Sequence, residues 1–76
     1  MKATIEHTDL YADTANYSWC RRASIKCDEL TDLQIIRRLK KLVDLSGVKA
    51  RLVAESGDYK QYNISATECF FIIYEY

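Results

Sequence analysis

Thr31-Asp32-Leu33-Gln34-Ile35-Ile36-Arg37-Arg38-Leu39-Lys40-Lys41-Leu42-Val43-Asp44-Leu45-Ser46-Gly47 carries the strongest structural signal in the chain. Thr31 can cap the first turn while Gln34, three residues on, reaches back in a capping box, and Gly47 stands where a left-handed residue would end a helix. The spacing predicts a helix over residues 32–45. At about 100° per residue, Ile35, Ile36, Leu39, Leu42 and Val43 fall within an arc of roughly 120°, with Arg37, Arg38, Lys40 and Lys41 opposite. One side should pack and the other meet solvent. On that reading Leu39→Ala costs roughly 2 to 5 kcal/mol and Lys40→Ala less than about 0.5 kcal/mol.

Upstream, residues 2–8 alternate with Ala3 and Ile5 on one face. Residues 17–27 alternate with Tyr17, Trp19, Ala23, Ile25 and Cys27 on one face. Both read as strands, and Asp9, Asp13 and Asn16 between them predict a hairpin with a wide loop over residues 9–16. Downstream, Val48, Ala50, Leu52 and Ala54 alternate with Lys49, Arg51, Val53 and Glu55, and Ser56-Gly57-Asp58 turns the chain into a strand over residues 59–64. Residues 69–74 are apolar throughout, as in a strand that is central or covered on both sides. The order β-β-α-β-β-β predicts an α+β domain with its single helix across one face of a largely antiparallel sheet. One helix leaves the other face open. The six Tyr, one Trp and two Phe make that face a candidate contact surface.

Seventy-six residues without an internal repeat make one domain, residues 1–76, too small for a large substrate cavity. Hydrophobic content of 49%, charged content of 29% and no proline predict a chain folded throughout. Eleven basic against eleven acidic residues exclude a whole-protein field for nucleic acid. The first ten residues lack the apolar run of a signal peptide, and no segment approaches the roughly 20 apolar residues of a membrane helix. A cytoplasmic protein with no membrane partner is expected.

No constellation supports catalysis. A metal site would need His7 with Cys20, Cys27 and Cys69, which lack knuckle spacing, and a cysteine nucleophile would need His7 as its base. Gly47 and Gly57, the only glycines, have turn explanations and form no phosphate loop. No enzyme activity, metal or cofactor is expected. Binding is the remaining class. Arg37, Arg38, Lys40 and Lys41 could form a basic patch for nucleic acid, although a charged outer face is what a surface helix ordinarily needs. Trp19 reads as a core residue by its size. Arg21 shares strand parity with Trp19 and Ala23, so it either emerges at a sheet edge or stacks on an aromatic ring. Tyr59, Tyr62, Tyr74 and Tyr76 carry hydroxyls that want water or a partner. The surface expected to bind a protein partner is Arg21, Arg22, Tyr59 and Tyr62: the arginines interrupt or flank the apolar parity of their strand, and the tyrosines follow the Gly57 turn in a strand rich in polar neighbours.

The run Ala15-Asn16-Tyr17-Ser18-Trp19-Cys20-Arg21-Arg22, with the helix and Gly47-Val48-Lys49-Ala50-Arg51 after it, resembles short uncharacterised bacteriophage and prophage open reading frames. That group shares an Asn-Tyr-x-Trp-x-Arg pattern, a central helix and a closing apolar strand, and the resemblance covers most of the chain from Leu10 onward. Cys20 stands where the pattern has valine. The resemblance implies a small phage-derived module that binds a host protein or complex in the host cytoplasm, as a modulator or inhibitor, with an anti-CRISPR-like role as its specific form. The alternative is a nucleic-acid-binding accessory protein using the basic helix side.

Three cysteines without CxxC spacing suit reduced thiols, and strand parity puts Cys20 and Cys27 on opposite faces. All three should titrate as free thiols in denaturant, with Cys69 unreactive in the native protein. A native mass two units below the reduced value (about 2 Da, one bridge) would contradict this.

Overall fold

In the computed structural model, which describes all 76 residues, the helix begins as its sequence predicts. α1 spans Asp32–Leu42. The Thr31 hydroxyl accepts from the Gln34 amide at 3.3 Å, and the Thr31 amide donates to Gln34 Oε1 at 3.0 Å. Its other end lies three residues earlier than expected. Val43 is the C-cap and Asp44, not Gly47, takes the left-handed position with φ 61°. The Leu45 amide donates to the Lys40 carbonyl at 2.8 Å and the Asp44 amide to that of Lys41 at 3.3 Å, the Schellman arrangement. Aspartate tolerates this conformation better than most residues. Gly47, at φ 76°, serves the next turn, which the Val48 amide closes on the Leu45 carbonyl at 3.1 Å.

The strands are β1 (Lys2–Tyr11), β2 (Thr14–Lys26), β3 (Arg51–Glu55), β4 (Tyr59–Asn63) and β5 (Glu68–Glu75). They form one antiparallel sheet in the order β2-β1-β5-β4-β3. The apolar β5 is central, between β1 and β4, and β2 and β3 are the edges. The α+β reading and the element order are as expected. The wide loop is not. Ala12 and Asp13, with φ of 51° and 64°, make a two-residue turn of the type whose twist suits a hairpin.

α1 covers the face carrying Ala3, Ile5, Phe70, Ile72 and Tyr74, and Ile35, Leu39, Val43 and Leu45 complete the core. Leu42, placed in the apolar arc by periodicity, is 56% exposed. It ends the helix, and the Schellman turn tucks Val43 and Leu45 under in its place. Lys40 departs from the solvent side. Its ammonium donates to the Val48 carbonyl at 2.6 Å and lies 5.9 Å from the centre of the Phe70 ring, so the stem lies along the core margin. All three cysteines are free; Cys27 and Cys69 are buried, and burial pushes the Cys69 thiol up to about 11.

These positions separate neighbouring helix residues by their cost. Leu39→Ala should lose roughly 2 to 5 kcal/mol through the cavity it leaves. Lys40→Ala should lose about 1 to 2 kcal/mol, correcting the sequence expectation, because a charge-assisted hydrogen bond and a cation–π contact go with it. Lys41→Ala should stay within about 0.5 kcal/mol. Urea denaturation of the three variants checks the order.

Candidate functional site

One aspartate shapes the surface around β2. In the β1–β2 ladder Thr8 pairs with Cys20 and Leu10 with Ala15, so Asp9 alone faces residues 16–19. That bulge is held by the Asp9 carboxylate, which accepts from the Ser18 amide and the Asn16 side chain, each at 3.1 Å, and from the Ser18 hydroxyl. These bonds, the Ser18 hydroxyl first, hold the Asp9 carboxyl down at about 2. The Thr8 hydroxyl donates to the Trp19 carbonyl at 2.8 Å and ties down the far side.

Tyr17 sits within the bulge at φ 54°. The distortion breaks the strand's two-residue alternation, so Tyr17 and Trp19 go to opposite faces rather than sharing one. Trp19 stays on the helix side with its ring 4.7 Å from that of His7 at 83°. It is 40% exposed, so it is not the fully packed core residue that its size suggests. Tyr17 crosses to the uncovered face, where its ring lies nearly parallel to Phe71, 6.4 Å away at 12°, and its hydroxyl donates to Glu6 at 3.1 Å. Burial, then the Glu6 charge, pushes the Tyr17 phenol up to about 12, so it remains a donor at neutral pH.

The ladder registers sort the expected binding residues. Arg21, His7, Phe70 and Tyr62 share one cross-strand row on the helix side, while Arg22, Glu6, Phe71 and Gln61 share a row on the uncovered face. Tyr59 pairs with Ile73, also on the uncovered face. Arg21 and Tyr62 are therefore separated by the sheet from Arg22 and Tyr59. Tyr62 is half-buried and stacks on Phe70 at 5.0 Å. Arg21 emerges at the sheet edge, one of its two expected placements, and donates to the Val43 carbonyl at 3.4 Å. Of the basic helix residues, Arg37, Arg38 and Lys41 are exposed and Lys40 is not free.

Of the five concavities on the surface, two adjoin these β2 aromatics, and another lies beside Arg37, Lys40 and Lys41. A cleft of about 600 Å³ lies between β2 and the end of α1, lined by His7, Trp19, Arg21, Val43, Leu45 and Glu68 among others. His7 Nε2 is 2.9 Å from Glu68 Oε1, and its buried Nδ1 has no hydrogen-bond partner. No group of three or more His, Cys, Asp and Glu side chains is arranged to hold a metal ion. On the uncovered face a groove of about 290 Å³ is lined by Glu6, Tyr17, Asp58, Tyr59, Phe71 and Ile73. Phe71 and Ile73 were absent from the sequence-derived surface. Their signal was present in the unbroken apolar run of β5, half of which must point away from the only helix.

Compared with protein-family models, curated proteins and solved structures, the chain matches none of them. No helix is long and apolar enough to cross a membrane.

The Asp9 clamp has a defined pH response. Its folded-state carboxyl lies below the ordinary 3.8, so its stabilising effect is complete above about pH 4 and is lost as pH falls towards about 2. Fluorescence of Trp19, the only tryptophan, should report loosening of the bulge across that window. Asp9→Asn should lack that transition; an identical acid profile in the variant would remove Asp9 from the role.

Proposed function

We propose that this chain is a non-enzymatic protein-binding module whose contact surface is the uncovered face of the sheet. One observation carries the reading. Tyr17, 46% exposed, and Tyr59, 37% exposed, flank Phe71 and Ile73 on a face that no other element covers, with Arg22 beside them. Tyrosine and arginine dominate the energetic centres of protein interfaces, and a concentrated aromatic patch on a chain of zero formal charge favours contact chemistry over long-range attraction. Arg21 and Tyr62, expected in the same surface, serve the helix end and the core instead.

The resemblance to phage and prophage reading frames makes a host protein or complex the partner class of this proposal, with modulation or inhibition of a host defence machine, anti-CRISPR-like, as its specific form. Phage origin, inhibition and a cytoplasmic site of action belong to the proposal.

Tagged wild-type protein, Arg22→Ala with Tyr59→Ala, and Arg37→Ala with Lys41→Ala should be compared for partner affinity and thermal stability. The sheet-face pair should bind at least about tenfold more weakly at unchanged melting temperature, since hot-spot truncations commonly cost more than about 1.4 kcal/mol. The helix pair should bind normally. The reverse pattern, with salt-sensitive retention on heparin, would move the site to the helix and favour the nucleic-acid alternative.

A further inference from the structure

Resting on the reading of the uncovered face as a protein-binding surface, we propose that its groove accepts an arginine side chain presented by the partner. The lining joins three aromatic rings, those of Tyr17, Tyr59 and Phe71, to two carboxylates, Glu6 and Asp58, and includes no basic residue. Aromatic faces carry negative potential and attract a cation that lies against them. The carboxylates add charge of the same sign.

Both carboxylates retain acceptor capacity. Glu6 accepts from the Tyr17 hydroxyl on one oxygen and from Arg22 Nε on the other, and a carboxylate offers about four acceptor positions. Asp58 Oδ1 accepts from the Ser56 hydroxyl at 2.7 Å, while Oδ2 has no hydrogen-bond partner and no cation pairs with the group. An apolar occupant would cover these oxygens without replacing the water they lose, and an acidic one would be repelled. A guanidinium satisfies both demands. Its plane can lie against an aromatic ring while its five donors reach carboxylates at the rim, a combination that a lysine ammonium does not match. Arg22 already pairs with one oxygen of Glu6 through its Nε. The volume fits as well: about 290 Å³ lies just below the roughly 300 Å³ at which small-molecule pockets begin, which suits one long side chain better than a cofactor-sized ligand.

The test is an NMR titration of the full chain with acetyl-Gly-Arg-Gly-amide and with its citrulline counterpart, which keeps the shape and loses the charge. The arginine peptide should shift resonances of Tyr17, Asp58, Tyr59 and Phe71 saturably in the millimolar range, as a single side chain allows. The citrulline peptide should bind about tenfold more weakly, and Asp58→Asn should weaken the arginine peptide severalfold while leaving the rest of the spectrum in place. Equal shifts from both peptides, shifts confined to other residues, or no shift at all would overturn the assignment. If the peptides fail while Arg22→Ala with Tyr59→Ala still abolishes partner binding, only the arginine preference falls. If that pair binds the partner normally, the proposed surface itself falls.

Discussion

The two edges of this sheet, β2 and β3, are consecutive strands in sequence, so residues 27–50 must carry the chain from one edge to the other over a single face. α1 lies within that connection but runs back across the face, from the β4 side to the β2 side, so the segments before and after it carry the chain over. Its start is tied towards β4 by Lys60, whose ammonium is 3.3 Å from Asp32, and its end towards β2 by Arg21 on the Val43 carbonyl. The cationic Arg21 also lies where the helix dipole is negative. Strung between those points, the helix covers one row of alternate side chains on each central strand. The other row, with Phe71 and Ile73, is left to water or to a partner.

Asp9 limits the consequence of that exposure. By holding four residues of β2 against one of β1, it throws Tyr17 over Phe71 and reduces the apolar area that the uncovered face presents. Cys69 and Thr8, a cross-strand pair in the same region, become wholly buried. The clamp consists of polar bonds to one half-buried carboxylate, whereas the core beneath α1 is apolar packing. The aromatic surface and the core therefore depend on different interactions, and acid should disturb the first before the second.

Size does not decide between the two concavities. The cleft beside α1 is the larger, but its charged groups are engaged with the protein itself, Arg21 with the helix end and Glu68 with His7, and the one unpartnered polar atom among its lining residues, His7 Nδ1, is buried. In the groove on the uncovered face, Asp58 keeps an oxygen without a partner, and three aromatic rings stand around it. Polar capacity left unused beside an apolar wall is the feature that a binding partner can complete.

Features decided over short sequence distances were legible from the residues. The Thr31–Gln34 capping box, the element order β-β-α-β-β-β and a last strand that is central or covered on both sides follow from capping chemistry, alternation and an unbroken apolar run, and one helix implied one open face. The helix end was misplaced because Asp44 took the left-handed position that Gly47 was expected to fill, carrying Val43 and Leu45 into the core and leaving Leu42 outside. Lys40 turned inward because the Val48 carbonyl and the Phe70 ring come near it only after the chain has folded back. The aromatic site was legible in composition but not in place. Period-two alternation put Tyr17 beside Trp19, and only the Asp9 clamp, built across a hairpin whose ladder skips from Thr8 to Leu10, sends them to opposite faces. Residue spacing therefore determined which elements form and their order. Tertiary structure decided which aromatics meet, because that depends on a carboxylate and its donors seven to nine positions apart in the chain.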